Sequence, residues 1–420
     1  MKTRIGLTHL VRRYYSSGAA STTGNPLLLD ILPSKKIISR LLFDYDARYN
    51  FSKYLPVVES IYDSLPDVFG KEPEIPERFR GNDLLIFQRV LAQIRKQTHT
   101  INPLLLKLEN ELVEHAAERG SRDALCTLSF MALDNNGEGW TEDDKSTAKK
   151  YIKDLMEMEH PLAFKLAADR ELKGFTESLN QNEEEEDMSV DAKVLRTEES
   201  TADLSPTSDT SFTNITSSPK RLARAVSLYD HFLKLDPKST VAAAAHRSLG
   251  MIFFRTQELV KAAEHFKHAV QLAPASDNAQ AHFFLGLLNE IDTLKARYHF
   301  QMAAKEGFRE SFANLGYIEL NVFNELKKAK EWFALGAELG VPECIVGLFD
   351  VAYRGNDWKR AKDIITRAEK QGVGKMLYDS RKDNVEKVQE ITSFDPIVDE
   401  QHAEETGDNN NQKRRSRWDL

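Results

Sequence analysis

The stretch Thr240–Pro274 reads TVAAAAHRSLGMIFFRTQELVKAAEHFKHAVQLAP, and its reading decides the fold. Two helical runs face each other across Thr256–Glu258. The first carries Leu249-Gly250, and the second opens on Ala262, with Phe266, Ala269 and Pro274 at four, seven and twelve residues beyond that alanine. Glycine in one helix and alanine in the next let two backbones approach closely, and the phenylalanine four residues on fills the space between neighbouring units. Proline stops the second helix, because it would cost a hydrogen bond and clash with the preceding turn.

The same spacing recurs on both sides. Ala225, Tyr229, Phe232 and Pro237 precede it; Ala296, Phe300, Ala303, then Ala329, Phe333, Gly336, then Ala361, Ile365, Ala368 follow. The leading alanines, 225, 262, 296, 329 and 361, lie 37, 34, 33 and 32 residues apart. Leu285-Gly286, Leu315-Gly316 and Gly347-Leu348 repeat the small residue of the first helix. A period of this length is the mark of stacked hairpins, each too small to bury its own apolar face alone. The pattern resembles the tetratricopeptide repeat. The later copies resemble the Sel-type repeat, with Ala304-Lys305-Glu306-Gly307 and Ala337-Glu338-Leu339-Gly340 each ending a helix on glycine. Ala117-Glu118-Arg119-Gly120 is a similar junction far upstream. The expected fold is therefore all-α, an α-solenoid of antiparallel hairpins, with divergent hairpins in the first half. No stretch alternates with a period of two, so no strands are expected.

The organisation follows from composition. Met1 to Leu29 holds no acidic residue but has Lys2, Arg4, Arg12 and Arg13, and a helix there would place Leu7, Leu10, Val11 and Tyr14 on one face. That is the pattern of a mitochondrial transit peptide, with Arg13-Tyr14-Tyr15-Ser16 resembling a matrix processing site. We assign 1–15 to this segment and 16–175 to a helical region. An acidic, Ser/Thr-rich, disordered insertion follows at 176–219, repeats at 220–392, and a polar disordered tail at 393–420. His160 to Lys173 and Ser218 to Leu235 look like the two helices of one hairpin, which would put the acidic segment at its tip. An independent linker between two domains is the other reading.

Bulk properties exclude several classes. A net charge of −8 argues against a nucleic-acid binder. No apolar run of about 18 residues is present to span a membrane. Cys126 and Cys344 stand alone, so neither a disulfide framework nor a zinc site is implied, and the thiol usage fits a reducing compartment. The signatures of nucleotide-binding loops, zinc proteases and serine hydrolases are missing, so no enzyme and no cofactor are expected. Asp134 to Gly139 begins like a calcium loop, but Lys145 holds the twelfth position, where a bidentate carboxylate is required. His265, His268 and His299 read as surface or interhelical histidines, not ligands. The first helices of the hairpins place Arg247, Met251, Phe254, Phe283, Leu287, Tyr317 and Leu320 toward an inner groove. That mostly apolar, aromatic surface suits an extended or helical peptide. In the clearest unit Arg247 and Met251 occupy the positions where a carboxylate clamp would need Lys and Asn.

The stretch Gly307–Phe333, GFRESFANLGYIELNVFNELKKAKEWF, is more specific than a generic repeat. With Glu343-Cys344, Gly347, Phe349-Asp350, Ser380-Arg381-Lys382-Asp383, Leu41-Leu42-Phe43, and Ala124 to Phe130, it resembles the fungal Mss-type mitochondrial assembly factors over 30–175 and 220–385. The resemblance implies a matrix-side protein, peripheral to the inner membrane, that binds a client polypeptide. It implies support for export of the C-terminal domain of cytochrome c oxidase subunit 2, alongside an Oxa-type insertase. A general mitochondrial repeat scaffold, or a translational or chaperone adaptor, is the alternative.

Overall fold

The computed structural model describes residues 26–65, 73–98, 101–134, 140–190, 219–289 and 291–393. The transit-peptide segment, the core of the acidic insertion at 191–218, the calcium-like loop at 135–139 and the tail from 394 lie outside them. The described residues form eighteen helices and no strand. The chain divides into two compact units, Met1–Pro237 and Lys238–Leu420.

The first unit opens with α1 (Leu28–Ile31), α2 (Lys35–Asp44) and α3 (Phe51–Ser64). Three hairpins follow: α4 (Gly81–Thr98) with α5 (Pro103–Glu118), α6 (Arg122–Asp134) with α7 (Glu142–Glu157), and α8 (Pro161–Val190) with α9 (Pro219–Leu235). Their starts are written in the sequence. Asn102 caps α5 by accepting from the Leu104 amide at 2.9 Å, ahead of a proline in the first turn. Thr141 and Asp144 cap each other's backbone at α7, and Lys145 pairs with Glu142 at 2.9 Å. The core gathers Tyr54, Phe79 and Phe87, with rings 5.4 to 5.5 Å apart. Phe43, which the apolar pattern would bury, is 85% exposed.

The last hairpin of this unit holds the ends of the acidic segment. Tyr229 Oη donates to Asp169 Oδ1 at 2.6 Å, Phe164 and His231 lie 4.2 Å apart, and Arg224 pairs with Glu171. The acidic segment thus leaves and re-enters through two helices packed on each other. Helix α8 continues to Val190, past the start at 176 of the segment expected to be irregular; Glu183–Glu186 are good helix formers. The first repeat marker set lies on α9, where the repeats are expected to begin, and α9 belongs to the first of the two compact units.

The second unit stacks α10 (Thr240–Arg255), α11 (Leu259–Leu272), α12 (Ala275–Leu288), α13 (Thr293–Lys305), α14 (Glu310–Asn321), α15 (Leu326–Glu338), α16 (Pro342–Arg354), α17 (Trp358–Lys370) and α18 (Gly374–Ser393). Each helix packs on the next, and α10/α12, α14/α16 and α16/α18 also touch, which is how stacked hairpins share a core. In the first three hairpins of this unit the glycine of the first helix is a notch for the phenylalanine of the second, as Gly250 is for Phe266 and Gly286 for Phe300. A Cβ on Gly316 would stand 2.3 Å from the Phe333 ring, and one on Gly347 of the following hairpin would meet the same ring at 2.3 Å. Phe333 therefore fills space within its own hairpin as well as between neighbours.

Three of the four turns from one hairpin to the next in this unit are built alike, and the first runs instead through Ala273-Pro274. Gly307 and Gly340 both adopt φ +81°, and Gly372 adopts φ +75°. The next residue's amide reaches back to close the helix: Phe308 to Ala303 O at 3.0 Å, Val341 to Gly336 O at 2.9 Å, Val373 to Ala368 O at 2.8 Å. This is the left-handed glycine termination of a helix. Gly120, at φ +78°, makes the same closure in the first unit, with Ser121 N to Ala116 O at 3.0 Å.

Candidate functional site

The residues assigned to the inner groove all lie on the first helices of hairpins in the second unit, but they are not equally free. Arg247 Nη1 donates to the Asp277 carbonyl, holding the start of α12. Met251 and Phe254 pack on the core formed by Ala262, Phe266 and Leu285, and the Phe254 ring lies 4.8 Å from Phe284. Phe283 sits 4.8 Å from Phe308 and 5.7 Å from Phe300, and Leu287 leans on the neighbouring core. Tyr317 meets Phe333 edge-on at 4.9 Å. These six are half-buried: each has one flank in the stack and one toward solvent. Leu320 is different. It is 1% exposed and belongs to the core, because α14 turns it toward α16 rather than outward.

Tyr317 also lines a cavity of about 320 Å³ with Asn321, Asp350, Tyr353, Arg354, Arg381 and Asn384. Here α18 departs from helical geometry at Arg381, with φ −140° and ψ 31°. The Arg381 guanidinium grips Asp350 with two bonds, Nε to Oδ1 at 2.7 Å and Nη2 to Oδ2 at 2.8 Å. Such a fork is worth more than a single contact and fixes orientation. Arg354 donates to Leu320 O at 3.1 Å and to Asn321 Oδ1 at 2.6 Å. Burial, reinforced by the Asp350 carboxylate, pushes the Tyr317 hydroxyl up to about 12, so it is a donor, not a base. The cavity offers amides, a phenol and a guanidinium to a polar backbone. Sequence reading found Tyr317 but missed the others, although Asp350 and Arg381 both fall in stretches that carry the family resemblance.

The two cysteines are not poised as nucleophiles. Burial pushes the thiols of Cys126 and Cys344 to about 12, which keeps them protonated and poorly nucleophilic. Among the described residues no group of three or more His, Cys, Asp or Glu gathers around a point that could hold a metal ion, and no helix is long and apolar enough to cross a membrane.

Fold and site together define a helical-hairpin repeat protein whose second unit presents half-buried aromatics beside a polar cavity. Its relatives are specific. Residues 24–121 match the family described as the MSS2 N-terminal domain. Over 374 residues the chain is 27% identical to Protein MSS2, mitochondrial, of Saccharomyces cerevisiae, covering 85% of this chain and 92% of that protein. The resemblance to the Mss-type factors drawn from the residues stands. Solved structures of similar fold include a Sel1 repeat protein from Oxalobacter formigenes (13% identity, TM-score 0.35, covering 73% of this chain and 100% of that one). Yeast Tom70 is another, at 10% identity and a TM-score of 0.37, covering 93% of this chain and 71% of that one. At those scores the fold rests on the chain's own helices.

Proposed function

We propose that this chain is a non-enzymatic mitochondrial assembly factor that holds a client polypeptide along the first-helix face of its second unit. The observation that carries the proposal is the similarity to mitochondrial MSS2 along 85% of the chain. The client face is Arg247, Met251, Phe254, Phe283, Leu287 and Tyr317, continued by the cavity at Asn321, Arg354 and Asn384. Half-buried aromatics give apolar anchorage to alternate client side chains, and the amides and guanidinium bind its backbone.

On this reading the protein works on the matrix side, peripheral to the inner membrane. It supports export of the C-terminal domain of oxidase subunit 2 beside an Oxa-type insertase, and it binds no nucleic acid. Mitochondria lacking the protein are tested by protease added outside the inner membrane. Subunit 2 is expected to be made, with its C-terminal domain protected in the matrix, and expression of this chain should restore cleavage. Loss of subunit 2 synthesis would point to a translational adaptor instead, and normal export would overturn the proposal.

A further inference from the structure

Helix α2 of the first unit has two stripes of opposite chemistry. Ile38, Leu41 and Leu42 turn into the core. On the other side Lys36, Arg40 and Phe43 stand at i, i+4 and i+7, which sets them in one exposed row along the helix. Phe43 is 85% exposed, and exposed Lys35 and Ile37 border the row. Leu27 and Leu29, just ahead of the helix, are exposed as well.

Folding does not account for this row. A phenylalanine left in water forgoes the burial that would stabilise the fold, and this one shares its row with two cations. Among the described residues no carboxylate forms an ion pair with Lys35, Lys36 or Arg40. Lysines of the second unit are held differently: Lys261 pairs with Glu258 at 2.5 Å, and Lys295 with Asp292 at 2.8 Å. Asp44 is the one acid on α2, so the helix carries three cations against one anion in a chain whose net charge is −8. A protein partner that covered Phe43 would also have to cover those lysines, which the cores of protein interfaces exclude. An anionic bilayer takes both at once. The ring enters the boundary between headgroups and acyl chains, and the cations meet phosphate.

We infer that the outer face of α2, with Leu27 and Leu29 ahead of it, is a docking surface for a bilayer that carries anionic phospholipid. Phe43 inserts among the headgroups, and Lys35, Lys36 and Arg40 pair with their phosphates. The inference rests on the reading of the chain as peripheral to the inner membrane and names the surface that meets it. Lys36 and Phe43 lie about 10 Å apart along the helix, so both touch a flat surface when α2 lies along it. Three cations near such a surface give roughly a hundredfold preference over a neutral bilayer, and added salt shrinks that preference.

The test uses the full chain with a polarity-sensitive dye on Ser39→Cys, an exposed position on the same side of α2. Cys126 and Cys344 are buried with thiols pushed up to about 12, so the dye goes to position 39. Phosphatidylcholine vesicles with about one-third phosphatidylglycerol should brighten it, and a quencher on the acyl chains should dim it. Phosphatidylcholine alone should leave it dark, as should the same dye on Asp363→Cys, exposed on α17. Adding Lys36→Glu and Arg40→Glu should raise the lipid needed for half-brightening at least tenfold, and Phe43→Ser about fivefold, with the helical spectrum kept. The dye reads α2 itself, so attraction of the basic stretch Lys2–Arg13 to the vesicles does not imitate the result. A dye that stays in water on anionic vesicles overturns the inference, as does equal brightening of parent and charge-reversed variant. Brightening with protein concentration and no lipid would make α2 a contact between copies and overturns it too. If the chain sediments with the vesicles while the dye stays in water, it is peripheral by another surface and only this inference falls. The client reading is decided separately, by the protease assay.

Discussion

The two units reach the same secondary structure by different means. In the second, one device recurs: a glycine notch in the first helix receives an aromatic ring from the second, as Gly316 receives Phe333, and a glycine at positive φ turns the chain into the next hairpin. In the first, irregular chain between helices is tied down by long-range polar bonds. Arg119 donates to three carbonyls, Ile75 O at 2.6 Å, Phe79 O at 2.9 Å and Pro76 O at 3.3 Å. Arg95 forks onto Glu109 at 3.0 and 3.2 Å, and Tyr62 Oη holds Pro26 O at 2.9 Å. A periodic packing rule leaves a periodic sequence. Anchors that bridge forty residues leave none.

The largest expected effect tests the packing rule. Gly316→Trp puts a ring where even a Cβ lies 2.3 Å from Phe333, and Gly347 closes the other side of that ring. Overpacking of this kind should cost more than about 3 kcal/mol. Hydrogen exchange read peptide by peptide should show α14 to α17 opening while α4 and α5 keep their protection. Unchanged exchange in the second unit would break the comparison at its root.

Arg119→Met tests the anchors. It removes three bonds from a charged donor and leaves the carbonyls of 75, 76 and 79 with fewer partners, a loss of about 2–3 kcal/mol. Exchange should rise in 73–80 and at the ends of α4 and α5, with the second unit untouched. If the variant melts like the parent, the loop is held by Phe79 in the aromatic core and not by the guanidinium.

These contrasts explain what could be read in advance. Hairpins from 240 to 370 were legible because Ala262, Phe266 and their copies mark contacts made within about 20 residues. The first half was legible only as a helical region; on α4 and α5 an apolar period runs through Leu84, Val90, Leu108 and Leu112, all buried. The inner face was read in outline, since period tells which side of a helix a residue takes but not how deeply its neighbour covers it. Leu320 shares a side with Tyr317 and is nonetheless core. The Asp350–Arg381 fork could not be read at all, because it joins residues 31 apart across a break in α18. His265 and His299 were read as surface or interhelical histidines, but their partners His246 and His282, 19 and 17 residues away, were not.

A pH effect should appear in the first unit. Burial, with Glu111 and Glu118 nearby, pushes the Glu114 carboxyl from 4.5 up to about 8. The folded state therefore holds this proton more tightly than the unfolded chain. Its contribution is full below about pH 4.5 and is lost as pH rises through about 8. Glu114→Gln keeps a neutral group of the same shape and escapes the loss. In urea titrations the variant should gain about 2 kcal/mol on the parent between pH 6 and pH 8. A constant difference across that range would mean that the carboxylate finds a cation when it ionises.

The smallest effect asks whether the turns, unlike the packing, are common to both units. Gly120 and Gly340 have nearly the same φ, +78° and +81°, and neither has any atom within 4 Å of where a Cβ would stand. Alanine at either position meets no neighbour and suffers only the backbone cost of a side chain in the left-handed region, about 1 kcal/mol. Gly120→Ala and Gly340→Ala should therefore lose the same amount in denaturant titrations, each in its own unit, even though one turn joins irregular hairpins and the other joins regular ones. Equal losses would make the helix-ending glycine a local device on which two different packing schemes were built. A loss at Gly340 larger by 1 kcal/mol or more would mean that the regular stack transmits a turn's strain to its neighbours while the anchored unit absorbs it.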